Sequence, residues 1–243
     1  MELASRVALV TGAGRRLGRA IALALAERGM RVAVHYHQAE AEARATVDRI
    51  TGMGRDSAVF PADLRDTAAA RDLPGRVAAR FGGLDVLINS SGIMTQATVE
   101  ETTPAIWDDL MQVNLRAGFF TAQGAAPFLR VARGKIINLA DIGGLEPWPR
   151  YAAHCISKAG VVMLTRTLAR AFAPDLTVNA VAPGAVLPPE EWDEESREHL
   201  AHTTPLRRLG SPADVTAAIL YLLEGGDYVT GETLVVDGGR LIR

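Results

Sequence analysis

The stretch VTGAGRRLGRAIA, residues 10–22, limits what this chain can fold into more than any other segment. It leaves a short apolar run, RVALVT, passes glycines at 12, 14 and 18, and enters a helical pattern over Leu17–Arg28 that is followed by a second apolar run, RVAVHY. Strand, glycine-rich turn, helix and second strand within about 30 residues describe a βαβ unit whose helix N-terminus offers amide donors to an anion. Gly12 permits the tight turn, Gly14 close backbone approach, and Gly18 close packing of the helix on the sheet. A dinucleotide pyrophosphate fits these requirements, and the parallel pairing they impose commits the rest of the chain to a sheet covered on both faces.

The remaining sequence keeps that commitment. A helical pattern over Ala39–Ile50 precedes SAVFPA, and LDVLINS (84–90), GKIINLA (134–140), LTVNAVA (176–182) and ETLVVD (232–237) supply further strands, with a long helical region over 103–131. Apolar strands alternating with helices predict an α/β, doubly wound Rossmann fold with a parallel sheet of about seven strands. With 243 residues, 48% of them hydrophobic, and no Pro/Gly/Ser linker or long-period repeat, the chain reads as one domain over 1–243. The segment 183–210 breaks the alternation with prolines and acids. It follows a strand's carboxyl end, where open α/β sheets bind ligands, so it is expected to form a lid. Beyond it, Ser211 is expected to cap a helix that begins at Pro212, with Asp214 in its first turn.

Charge and cysteine content exclude other classes. A net charge of −2 with interspersed signs leaves no basic stripe for nucleic acid or anionic membrane. The single cysteine, Cys155, rules out an intrachain disulfide framework, and the histidines show no metal-ligand spacing, so no metal is expected. No secretory signal or membrane-length apolar run is evident, which predicts a soluble cytoplasmic protein acting on a small molecule.

The end of the second strand bears on cofactor choice. A carboxylate there would accept from the adenosine ribose hydroxyls, but the residue at that position is Tyr36, flanked by His35 and His37. Arg15 and Arg16 leave the first turn with guanidinium groups suited to a 2′-phosphate, so NADPH is expected over NADH.

With these residues placed, the chain resembles the short-chain dehydrogenase/reductase family over essentially its whole length. The segments that carry the resemblance are TGAGRRLG (11–18), ADL (62–64), NSSG (89–92), VNL (113–115), INLAD (137–141), SKAG (157–160), VNAVAPG (178–184) and VTGETLVVDGG (229–239). The resemblance implies cofactor contacts from Leu17, Asp63, Leu64, Asn89, Ser90, Ser91, Lys158, Pro183 and Gly184, with Asp63 on the adenine amine and Asn114 supporting a proton-relay water. Within the family the chain is similar to the bacterial pteridine-reductase-like branch. Arg16 replaces the middle glycine of the first turn, HYHQAEAEA and the terminal DGGRLIR match, and Asp141 stands where most members carry a serine. That implies a substrate pocket with Met94, Asp141 and Val186, and reduction of a pterin-like C=N or of a carbonyl. It also implies a homotetramer or homodimer built through 103–131, 150–173 and the C-terminal strand.

The family tyrosine, thirteen residues after Asp141 and four before Lys158, is replaced by His154. Residues four apart share a helix face, so His154 and Lys158 are expected to point at one cleft. The lysine charge disfavours an imidazolium and an ionised Asp141 favours it; the sequence does not say which prevails. The readings left open are a reductase using His154, or Asp141 through water, as proton donor, an impaired NADP(H)-binding module, and a sequence altered at this position or a site with some other donor. Tyr151 shares the face about 10 Å further along and is expected to be structural, and Cys155 to be packed inside.

Overall fold

A computed structural model describes residues 1–188 and 193–242 of the chain. Seven strands form one parallel sheet: β1 (Val7–Val10), β2 (Arg31–Tyr36), β3 (Ser57–Pro61), β4 (Val86–Asn89), β5 (Lys135–Leu139), β6 (Thr177–Pro183) and β7 (Thr233–Val236), in the order β3-β2-β1-β4-β5-β6-β7. The order reverses between β1 and β4, which pair through Ala8–Val10 and Val86–Ile88. At such a reversal the crossovers leave on opposite faces, so a crevice opens at the strands' carboxyl ends. Thr11 closes the floor of that crevice, its Oγ1 accepting from the backbone N–H of Ser90 at 2.9 Å and Ser91 at 3.0 Å.

Helices α1 (Arg16–Glu27) and α2 (Glu40–Gly52) cover one face, together with α8 (Pro212–Glu224) near the end of the chain. Their apolar stripes, including Ile21, Leu25, Ile50, Ile219 and Leu222, bury against Val10, Val32, Val34 and Val86. The opposite face carries α3 (Thr67–Phe81), α5 (Ala117–Ala132) and α6 (Ala152–Phe172), whose Leu73, Val77, Leu129, Leu164 and Leu168 pack on Leu9, Leu87 and Ile136. Strand residues thus feed the two cores alternately, which is why the strands read as continuous apolar runs.

The sequence left α3 unassigned, because Pro74 and Gly75 interrupt its helical pattern; Asp66 caps it by accepting from the N–H of Ala68 at 2.8 Å. The long region 103–131 resolves into α4 (Pro104–Met111), a π turn over Gln112–Arg116, and α5. The extra residue of a π turn rotates the helix beyond it, and here it carries Asn114, buried, into the crevice end of the fold. The capping pair expected at α8 is present, with Asp214 Oδ2 accepting from the Ser211 N–H at 2.7 Å. Within 183–210, helix α7 (Glu194–Thr203) buries none of its residues, and part of the expected lid, 189–192, lies outside the described residues.

Helices α3 and α5 pass so closely that a Cβ built at Gly124 would lie 2.1 Å from the Arg71 carbonyl oxygen, whereas one at Gly75 meets only Phe128 Cζ at 4.0 Å. Gly124→Ala is therefore expected to cost about 1–3 kcal/mol through displaced backbone, and Gly75→Ala to add up to about 1 kcal/mol by helix propensity. Urea unfolding of the two variants checks this; equal effects of the same sign would refute the packing argument.

Candidate active site

The glycine turn is set by close contacts. Gly12 has φ +65°, and a Cβ at Gly18 would meet the Gly12 carbonyl oxygen at 2.2 Å, so a side chain at either position disrupts the turn. Gly14 faces the start of α2, where a Cβ would come within 3.2 Å of Ala43 N. Gly18 thus serves the approach of α1 to the turn rather than to the sheet. No side chain caps the start of α1 and no acid lies in its first turn, so the amides there suit an anionic ligand. Arg16 adopts φ 50°, a left-handed conformation unfavourable for a side chain and natural for glycine.

His35, expected at the cofactor, instead supports the turn from behind. It is 2% exposed; its Nδ1 accepts from the Gly12 N–H at 3.0 Å and its Nε2–H donates to the Ala62 carbonyl at 3.1 Å. With both ring nitrogens committed inside the protein, it has no group left for a ligand. Burial pushes its pKa down to about 4, with the charges of His37 and Arg76 acting in the same direction and the Ala62 carbonyl opposing. Tyr36 packs into the core beside β1, leaving His37 and Asp63, 3.7 Å apart and half-exposed, at the surface edge of the crevice. Arg15 is exposed, while Arg16 reaches across to donate to the Leu187 carbonyl at 2.6 Å, tying the glycine turn to the segment after β6. Leu64 is buried against the second core.

A second group of residues lies around the start of α6. Asn114 holds the backbone of Ile93 from both sides, accepting from its N–H at 2.8 Å and donating to its carbonyl at 3.0 Å, and donates also to Ser157 Oγ at 2.9 Å. The same Ile93 carbonyl lies 3.3 Å from His154 Nδ1. A carbonyl can only accept, so the ring proton sits on Nδ1 and Nε2 carries a lone pair. His154 is 3% exposed, and its Nε2 is buried without a hydrogen-bond partner. Trp148 lies parallel to the imidazole, with ring centroids 6.5 Å apart.

Burial, then the charge of Lys158, lowers the His154 pKa to about 4, against the smaller opposing effect of the Ile93 carbonyl. Both effects favour the neutral imidazole at pH 7, whose Nε2 then offers a lone pair. Lys158, 7% exposed, donates to the Leu139 carbonyl at 2.9 Å, and burial pulls its pKa down. Asp141, at the end of β5, accepts from the Gly143 N–H at 2.7 Å; burial raises its pKa despite that bond and the Lys158 charge.

The remaining expected site residues divide by environment. Asn89 spends its amide on Asn138 Oδ1 at 2.9 Å, within the interior between β4 and β5. Pro183 ends β6, and Gly184 sits where a Cβ would come 2.9 Å from Asp237 Cα. Met94 is 53% exposed, whereas Val186 is buried in the first core. Tyr151 precedes α6 rather than belonging to it, and its hydroxyl bonds Gln96 at 3.1 Å; Cys155 is buried, as expected. Sequence reasoning missed Ile93 and Trp148: the first acts through its backbone, and the second is one aromatic in an irregular loop. Among the described residues no group of His, Cys, Asp or Glu could hold a metal, and no helix is long and apolar enough to cross a membrane.

Comparison with known proteins places the chain in a family. The family described as enoyl-(acyl carrier protein) reductase covers residues 12–240. The chain is 38% identical to 3-oxoacyl-(acyl-carrier-protein) reductase FabG of Staphylococcus aureus over 97% of its length and 98% of the relative's. It is 37% identical to 3beta-hydroxysteroid dehydrogenase 1 of Eggerthella lenta, over 99% and 95%. A blue fluorescent protein from a metagenomic library, solved in complex with NADPH, superposes with a TM-score of 0.92 at 29% identity, covering 99% of each chain.

The two buried neutral imidazoles make stability depend on pH. Both pKa values lie below the ordinary 6.5, so the unfolded chain binds more protons between about 6.5 and 4. Stability is accordingly full above pH 6.5 and falls as pH drops through 4, by roughly 3 kcal/mol for each ring. Thermal unfolding at pH 7.5 and 4.5 should show this loss, and His35→Asn, which keeps an acceptor for Gly12 but cannot titrate, should show a smaller one. An unchanged acid loss in His35→Asn would count against the assignment.

Proposed function

The chain belongs to the short-chain dehydrogenase/reductase family, and from that premise we propose that it is an NADP(H)-dependent oxidoreductase interconverting a small carbonyl compound and its alcohol. The observation that carries the reading lies at Gly92. A Cβ there would be 3.4 Å from Asn114 Oδ1 and 3.6 Å from Lys158 Nζ, so the NSSG segment that follows β4 at the switch point borders the Asp141, His154 and Lys158 group directly. A phosphate-binding turn and a proton-handling group thereby meet at one crevice.

The residues fit the cofactor. The turn at Gly12, Gly14 and Gly18 keeps side chains out of the space a pyrophosphate needs, and Arg15 is exposed beside it with no acid in the first turn of α1. We assign the 2′-phosphate to Arg15, Arg16 and His37, the adenine to Asp63 and Leu64, and the nicotinamide end to Asn89, Ser90, Ser91, Lys158, Pro183 and Gly184. The bound cofactor supplies or accepts the hydride; the chain excludes water, orients the substrate and moves the proton. His154 occupies the slot of the family's tyrosine, Lys158 holds positive charge beside it, and Asn114 positions His154 through Ile93 and Ser157.

A pterin-like C=N substrate is a second reading, favoured by Asp141, whose raised pKa suits proton donation to a ring nitrogen. Met94 offers it a thioether rather than a flat platform. The impaired binding module is not favoured: relatives matching almost the whole chain carry names of reductases and dehydrogenases. A homodimer or homotetramer is supported by the exposed Trp107, Phe119, Ile156 and Met163 on α4 to α6 and by Leu234 and Val235 on the edge strand β7.

Fluorescence titration should show NADPH binding about tenfold or more tighter than NADH. Turnover is expected with at least one member of a panel of 3-oxoacyl thioesters, quinones, 3-ketosteroids and their alcohols, and with dihydropterins if the second reading holds. Tighter NADH than NADPH binding would overturn the 2′-phosphate assignment; NADPH binding without turnover of any member would overturn the enzymatic reading.

A further inference from the structure

The proton at His154 Nδ1 is committed to the Ile93 carbonyl, and Asn114 fixes that carbonyl through two further bonds to Ile93. The ring cannot exchange tautomers without losing this bond, so Nε2 is held as an acceptor. It is also a buried acceptor without a partner, which in a folded protein is costly unless a ligand supplies the donor. A ketone has only acceptor oxygens and leaves that lone pair unpaired, whereas an alcohol brings an O–H. We infer that His154 makes this site select the hydroxyl form of its substrate, so that the protein binds alcohols with NADP⁺ and works as a dehydrogenase in preference to a carbonyl reductase.

This inference rests on the NADP(H) reading above. In the step it describes, the alcohol O–H breaks and its proton forms a new N–H at His154 Nε2. The carbinol C–H breaks with its electron pair, which leaves as hydride to NADP⁺, and the carbon–oxygen double bond forms. The alcohol is oxidised by two electrons and NADP⁺ is reduced. The groups around the ring keep it neutral before the step. Lys158, on the same helix, repels an added proton. Asp141, beyond β5, is itself pushed toward its neutral form, and Glu146 accepts from Trp148 Nε1 at 3.1 Å rather than from the imidazole.

No enzyme shifts the overall equilibrium, so the ratio of reduction to oxidation must fall tenfold per pH unit whichever group moves the proton. What the group decides is which direction carries that slope. An imidazole with a pKa of about 4 is already deprotonated at neutral pH, so oxidation is flat and reduction falls about tenfold per unit above pH 5. A group protonated throughout that range puts the slope on oxidation instead.

Two measurements decide it. Histidine ¹⁵N spectra of the cofactor-free protein, with the His154 signal identified by its loss in His154→Gln, should show a neutral Nδ1–H ring from pH 8 to 5. An Nε2–H ring, or an imidazolium at pH 6, overturns the inference. In the NADP⁺-loaded protein, a 3β-hydroxysteroid or cyclohexanol should bind about tenfold or more tighter than its methyl ether, which lacks the donor. Steady-state kcat/KM between pH 5 and 8, with whichever pair is turned over, should place the slope on reduction, and His154→Tyr should move it to oxidation. Equal binding of alcohol and ether, or a slope on oxidation in the unmodified protein, refutes the inference. Failure to bind NADPH at all sinks the cofactor reading and leaves the spectra to judge His154 separately.

Discussion

The site depends on the reversal of strand order between β1 and β4, and on how tightly the backbone is held there. Thr11 Oγ1 ties the end of β1 to the two amides after β4, and His35 ties the Gly12 amide to the end of β3 through Ala62. Both ties use neutral side chains inside the protein, where an unmade hydrogen bond costs more than it does in water. They hold the glycine turn against β2 and against the NSSG segment, whose Gly92 lies beside Lys158. The glycine turn and Lys158 are linked through Ser91 and Gly92 because the sheet topology brings the ends of β1 and β4 together.

Around α6, burial rather than charge sets the chemistry. Asp141, His154 and Lys158 all move toward their neutral forms, and in each the loss of water is the largest cause. Charge from Lys158 adds to this at the imidazole and only partly offsets it at the carboxyl. Tyrosine in the same slot would present an O–H donor; the imidazole, with its proton turned toward Ile93, presents a lone pair. The hydrogen-bonding character of residue 154 is thus set by the carbonyl that its Nδ1 faces.

Much of the fold was legible because periodicity and glycine placement have few structural solutions. The seven strands, α1, α2 and the capped start of α8 lie within a residue or two of where the pattern puts them. Helix α3 was not legible, since a proline and a glycine at its centre hide a stripe that packing on α5 restores. The π turn at Asn114 was invisible too, because one extra residue per turn leaves no mark in a helical pattern. His35 looked like a cofactor residue from its place in HYH, yet strand alternation turns it inward behind the turn.

By itself the sequence determined the parallel α/β topology, the position of the glycine-rich turn and the pairing of residue 154 with Lys158 on one helix face, because each follows from local spacing. Only the tertiary structure decided that His154 is neutral, which nitrogen carries its proton, and that the other nitrogen is buried without a partner. Those properties arise from Ile93, held by Asn114 from another helix, from Trp148 in a loop, and from the exclusion of water. Protonation depends on the solvent and dipoles around a group, and these are supplied by segments far apart along the chain.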